Sequence, residues 1–311
     1  MEVILHIGAH RMASTTFQHY MSENRAALRA AGIGVLGPKE TRGGLLTGVL
    51  PVDSPRSPEA QLRRARARVA INLSKLEGSG VRHLVISDEN VIGAARRNLR
   101  QGSIYPDIGQ RMARFATVFE GRVSRISLSV RSQDAYLSSC FAFAVARGHR
   151  LPKTSTLDNL VANPRGWRDV ITDLACAFPD VEIQVMPHEI FAGLPECRLQ
   201  AMTGQTCLPK RYAREWMNRG PSLAQLRHIL RNRGGDPDRL PAGEGRWQPF
   251  SQAQMMVLRE AYADDLFWLR AGADGLATLI EETGMAQTGK NPAALQTQRG
   301  QDHGIEDRRM A

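Results

Sequence analysis

Short runs of apolar, β-branched residues recur along this chain, with amphipathic stretches between them. Val3–Ile7 ends at Gly8, and residues 33–36, 81–87, 125–130 and 181–186 repeat the pattern. A strand covered on both faces reads as an unbroken apolar run, and a parallel neighbour needs a crossover that a helix usually supplies. Phe17, Tyr20, Met21 and Leu28 fall at helical spacing, as do Leu62, Val69, Leu73 and Leu76 on a helix expected over 59–77. Further helices are expected over 107–119, 133–146 and 164–178. This alternation predicts an α/β fold, a three-layer parallel sheet flanked by helices.

Past the last strand the chain reads as largely helical, with amphipathic pieces over 222–232 and 251–269. Met255, Leu258, Tyr262, Leu266 and Leu269 stripe the second piece. One α/β domain over 1–284 accounts for these elements, and 285–311 reads as a polar, disordered tail. Residues 39–58, rich in Gly, Pro, Ser and Thr, read as a mobile loop or lid. Lysine and arginine total 41 against 31 acidic residues, a formal charge of +10. That excess favours anionic partners without choosing among them. The four cysteines form no CxxC pair and are expected as small buried hydrophobes, with no metal site. No stretch reaches the ~18 apolar residues of a membrane span, and Glu2 stands where a secretory signal would be basic. A cytoplasmic protein without a membrane span is the expectation.

The segment Ile7–Gln18, IGAHRMASTTFQ, places a loop between a strand and a helix start. Free N–H groups and the helix dipole make such a junction attractive to anions. Ser14 or Thr15 is the expected N-cap; Ser14, Thr15 and Thr16 add hydroxyls, and Arg11 adds a fixed positive charge. The lysine of the GxxxxGK[ST] loop is missing, which argues against an ordinary ATPase or GTPase.

With Gly8, His10, Phe17, Gln18, the pair Asn24-Arg25 and Gly32-Ile33 in register, the chain resembles bacterial carbohydrate-type sulfotransferases. Those enzymes use 3′-phosphoadenosine 5′-phosphosulfate (PAPS) on a P-loop-like fold, and their loop has the pattern GxHKTGTTxLQ. The resemblance implies that this loop holds the 5′-phosphosulfate. Arg11 then takes the lysine's role on the sulfuryl group, and Ser14 and Thr15 contact the 5′-phosphate. Arg11, Met12 and Ala13 replace the family's lysine, small polar residue and glycine. These departures favour nucleotide binding over efficient catalysis.

The second segment, VRSQDAYLSS over 130–139, resembles the family's RRQDDYLAS. The resemblance implies that Arg131 and Ser139, eight residues apart, bind the 3′-phosphate, with Ser138 as the near alternative. The third, ISDEN over 86–90, puts carboxylates at a strand end, where open α/β sheets place their sites. Glu89 is the preferred base for an acceptor hydroxyl, with His10 and Asp88 as rivals. Downstream, Arg219 in NRGPS and Arg246 in GEGRW are candidates for the late basic loop that such enzymes fold over the nucleotide, with Trp247 as a stacking surface.

The function expected is therefore sulfuryl transfer from PAPS to a hydroxyl of a saccharide or small metabolite, without a metal. The expected partners are that nucleotide donor and a hydroxyl acceptor. The alternatives are a catalytically degenerate nucleotide-binding relative, an atypical kinase, or a nucleic-acid-binding protein. The last is motivated by the charge and by Arg63, Arg64, Arg66 and Arg68, yet it lacks any recognised nucleic-acid motif, so no nucleic acid is expected.

Overall fold

The computed structural model describes residues 1–162 and 164–283. The expected tail over 285–311 lies outside them. The sheet has six strands, all parallel: β1 (Glu2–Gly8), β2 (Ile33–Leu36), β3 (His83–Ser87), β4 (Val123–Val130), β5 (Glu182–Pro187) and β6 (Thr278–Leu279). Their order is β2-β3-β1-β4-β5-β6. Helices cover both faces, so the expected three-layer α/β architecture is the one observed.

Alternation within β1 explains both layers. Val3, Leu5 and Ile7 enter a core with the helices Pro58–Gly78, Ile108–Phe119, Gln133–Ala146 and Trp167–Ala177. Ile4 enters a smaller core on the other face, with Phe17, Tyr20 and Met21 of the helix Ser14–Glu23 and Leu199 and Met202 of the helix Pro195–Thr203. Each such apolar side chain contributes roughly 1.5–3 kcal/mol when removed from water.

The topology also fixes where a site can lie. From β1 the chain crosses to β2 on one side, and from β4 it crosses to β5 on the other. The carboxyl ends of β1 and β4 therefore flank a crevice.

Several expectations need correction. The helix after β1 breaks at Asn24, whose side-chain amide donates to the carbonyls of Tyr20 and Arg211, both at 2.9 Å. The segment 39–58 is not a free lid: it begins in helical turns over Pro38–Glu40 and Thr41–Leu45. Thr41 Oγ1 donates to Asp88 at 2.6 Å, and the Gln61 side chain holds Val52 and Arg56 by their backbones. Only Cys140 and Cys197 are buried; Cys176 and Cys207 are exposed, and all four are free thiols. The helices Ala95–Gln101 and Pro195–Thr203 had no readable apolar stripe, because the first buries an asparagine and the second an arginine.

One carboxylate ties the C-terminal helix to the sheet domain. Asp265, on the helix Gln252–Arg270, accepts the N–H groups of Trp167 (2.7 Å) and Arg168 (3.0 Å) and the Gln133 amide (3.0 Å). It caps the start of the helix Trp167–Ala177 from a distant part of the chain, as charge at a helix N-terminus favours. Gly166 permits this, since a Cβ there would lie 2.8 Å from Asp265 Oδ1. Asp265→Ala strands buried donors and is expected to destabilise the fold by about 2 kcal/mol in urea denaturation, with the slope unchanged.

Candidate functional site

A cleft of about 330 Å³ opens at the carboxyl ends of β1 and β4. The loop after β1 forms its floor. Gly8 adopts φ +77°, and a Cβ there would meet Ser14 Oγ at 2.8 Å and Glu89 Cβ at 3.1 Å. Arg11 and Ala13 also take left-handed conformations, at φ 62° and 61°. Ala13, not Ser14 or Thr15, is the N-cap of the helix Ser14–Glu23, and no side chain caps that end. Its first-turn N–H groups therefore face the cleft without side-chain acceptors. Ser14 Oγ turns back to the Ala9 carbonyl at 3.3 Å, and Thr15 is exposed at the cleft.

Met12 and Thr16 do not line the cleft. Met12 is fully buried, and its carbonyl accepts Arg198 Nη2 at 3.3 Å. A trans peptide holds C=O and N–H on opposite sides, so this bond aims the Ala13 N–H away from Arg198. Thr16 Oγ1 accepts the Met217 N–H at 3.1 Å, which pins the loop carrying Arg219. Arg198 is itself buried, with Nε and Nη1 unbonded and no carboxylate partner among the described residues. Burial lowers its pKa to about 10.

The two sequence segments meet in this cleft. Arg11 Nε donates to Ser139 Oγ at 3.2 Å, Arg11 Nη2 donates to the Asn218 carbonyl at 3.2 Å, and the guanidinium lies 4.6 Å from the Phe143 ring centroid. Arg131 lines the same cleft, yet its guanidinium makes no hydrogen bond or salt bridge among the described residues. Burial lowers the pKa of both Arg11 and Arg131 from the ordinary value; at Arg131 the carboxylates Glu189 and Asp134 oppose it, and Arg246 adds to it at both. Cations crowded in this way are relieved by a bound anion. Ser138 is occupied by Gln248 at 2.7 Å, which leaves Ser139 as the serine beside Arg11.

The late loops form the outer wall. Arg246 Nη1 donates to the Gly220 carbonyl, and Leu223 N–H donates to the Gly245 carbonyl at 2.8 Å. Arg219 lies over Trp216, 5.2 Å from the ring centroid. Arg219, Arg246 and Trp247 all line the cleft. By contrast, half of the Arg63–Arg68 cluster serves the fold: Arg66 pairs with Glu120 at 2.7 Å, and Arg68 bonds the Leu45 carbonyl at 3.1 Å.

The carboxylates after β3 have different surroundings. Asp88 is buried and takes Thr41, Arg42 and the Asn90 N–H, so its lone pairs are occupied. Glu89 lines the cleft, held by Gln18 Nε2 and Arg42 Nη2, both at 2.9 Å. His10 also lines it, bonded to Tyr105 and Asn90. Arg42, Tyr105, Phe143, His188 and Arg198 escaped sequence reading, because each reaches the site by a long-range contact with no local pattern. Among the described residues, no cluster of metal-ligating side chains occurs, and no helix is long and apolar enough to cross a membrane.

Two outcomes follow from this geometry. Ala13→Gly removes the steric penalty of a left-handed alanine and is expected to raise stability by about 1 kcal/mol, read as a higher denaturation midpoint. Buried His6 is held neutral by burial and by Arg198, and burial takes His188 down to about 3. The unfolded chain binds protons on both below the ordinary histidine value, whereas the folded chain does not. Stability is therefore expected to be full above about pH 6.5 and to fall as pH drops towards 5, by up to about 1.4 kcal/mol per pH unit for each histidine. His188→Gln shrinks that slope, and an unchanged slope would contradict the assignment.

No protein-family model and no curated protein matches this chain, so the functional reading rests on the geometry of this cleft and on the sequence patterns that meet in it.

Proposed function

We propose that this cleft binds PAPS and transfers its sulfuryl group to a hydroxyl of a saccharide or small metabolite. The observation that carries the reading is Arg131: a half-buried guanidinium with no hydrogen-bond or salt-bridge partner among the described residues, in the same cleft as a loop of left-handed residues and open helix N–H groups. The resemblance to bacterial sulfotransferases assigns a phosphate to each of these two places.

The residues present suit such a ligand. Gly8 lets the strand turn into the loop where a Cβ would meet Ser14 Oγ at 2.8 Å, so the residues that follow line the cleft. The cleft volume lies within the roughly 300–1,000 Å³ of small-molecule pockets. In this reading the Ala13–Thr15 backbone and Arg11 hold the 5′-phosphosulfate, while Arg131 and Ser139 hold the 3′-phosphate. Arg246, Arg219 and Trp247 close the nucleotide from outside.

Transfer forms a bond from the acceptor oxygen to sulfur and breaks the bond from sulfur to the bridging oxygen. The electron pair of the broken bond stays on the 5′-phosphate, where Arg11 and the helix N-terminus stabilise it. Glu89 takes the acceptor proton, since Asp88 is saturated by its own partners. A second reading, nucleotide binding without turnover, is favoured by Arg11, whose guanidinium is already engaged by Ser139 and Asn218. Steady release of 3′-phosphoadenosine 5′-phosphate separates the two.

Calorimetric titration with 3′-phosphoadenosine 5′-phosphate tests the site. Wild type is expected to bind it in preference to ATP, and Arg131→Ala to weaken it about 10- to 100-fold, the value of one or two charge-assisted hydrogen bonds. If neither nucleotide produces heat, the donor assignment is lost.

A further inference from the structure

We propose that Tyr105 and Tyr136 are positioning residues that lock His10 as a neutral imidazole with its proton on Nε2, so that His10 serves the cleft as a hydrogen-bond donor and not as a base. The lock follows from donors whose direction is fixed. The Tyr105 backbone N–H donates to Asn98 Oδ1 at 3.1 Å, which turns the Asn98 amide nitrogen towards Tyr136 Oη at 2.9 Å. Tyr136 accepts that bond and passes its single proton to Tyr105 Oη at 3.1 Å. Tyr105 Oη also receives the His10 backbone N–H at 2.9 Å. With two bonds arriving, its own proton goes to His10 Nδ1, 2.9 Å away. The ring proton is then on Nε2, which donates to Asn90 Oδ1 at 3.1 Å. The reverse order would turn an Nε2 lone pair towards that oxygen.

Both tyrosines are fully buried, and Trp167 packs against both rings. The chain of hydroxyls is therefore shielded from water that would scramble its direction. The groups facing His10 oppose one another. Burial against Tyr105 lowers its pKa most; Asn90, Glu89 and Asp88 raise it, Arg42 lowers it, and the net displacement is downward. The donor lies at the cleft, where a ligand oxygen competes with Asn90 Oδ1. In the sulfuryl-transfer reading, on which only this last role rests, His10 supports the transferring or acceptor oxygen and leaves proton removal to Glu89.

Nitrogen-15 NMR of the histidine rings in the full chain tests the lock, with His10 assigned by its loss in His10→Gln. Wild type is expected to show unprotonated Nδ1 and protonated Nε2, unchanged from about pH 8 to about pH 5.5. Tyr105→Phe is expected to show mixed tautomers and titration near the ordinary histidine value. Tyr136→Phe keeps the Tyr105 hydroxyl and is expected to give partial mixing, which serves if Tyr105→Phe does not fold. An Nδ1–H tautomer in wild type, ordinary titration there, or no change in either variant would overturn the proposal. Absence of sulfuryl transfer alongside the expected NMR pattern would remove the proposed chemistry and leave the lock standing.

Discussion

The site depends on one close approach. At Gly8 the central strand ends with no room for a side chain, because Ser14 Oγ and Glu89 Cβ occupy the space a Cβ would take. The chain must leave β1 in a left-handed conformation, and that sends the next residues under the crevice instead of along the sheet. Arg11 and Ala13 then repeat the left-handed geometry without being glycines, which is strain of the kind that persists only where surroundings enforce it. The enforcing contacts are identifiable: Tyr105 on the His10 N–H, Arg198 on the Met12 carbonyl, and Ser139 and Asn218 on the Arg11 guanidinium.

Those contacts come from four separate parts of the chain, which explains what the sequence could and could not reveal. The strands were legible because both faces of a buried parallel strand must be apolar. The helices Gln133–Ala146, Leu223–Asn232 and Gln252–Arg270 were legible because their signals are local. The resemblance put Arg11 and Ser139 on different phosphates of one nucleotide, and their direct bond was not legible, since nothing within either segment predicts that the other lies beside it. Asp265 is buried as the cap of another helix, and nothing in the apolar stripe of its own helix marks it. The segment 39–58 has the composition of a mobile loop, and its order comes from Asp88 and Gln61, which composition does not record.

The adjacent acids at the end of β3 show how one strand end separates two roles. Side chains of consecutive residues leave in different directions, so Asp88 enters the protein and Glu89 enters the cleft. Arg42 bridges both, with its Nη2 at 2.6 Å from Asp88 and 2.9 Å from Glu89. Anchoring the 38–46 turns and orienting the cleft carboxylate are thus one interaction. A change at Arg42 would loosen the wall and free the acid together, so its phenotype cannot be assigned to either role alone.

The charge pattern has the same logic on a larger scale. Among the described residues Arg131 has no direct partner, Arg11 is satisfied by neutral oxygens, and Arg198 lies buried beneath the loop without a carboxylate. Removing charges from water without counter-ions is unfavourable, and a fold selected for stability alone would pair or replace them. Here the neighbouring acids are bonded to other groups: Asp134 to Arg259 at 2.8 Å, Glu196 to Arg214, and Glu189 to the Tyr262 hydroxyl at 3.3 Å. Arg11, Arg131 and Arg246 therefore line one opening without a direct carboxylate partner among the described residues. In the sulfuryl-transfer reading, an anion in that opening gains from all three at once and offsets their mutual repulsion. That reading couples binding and stability through the same few guanidinium groups.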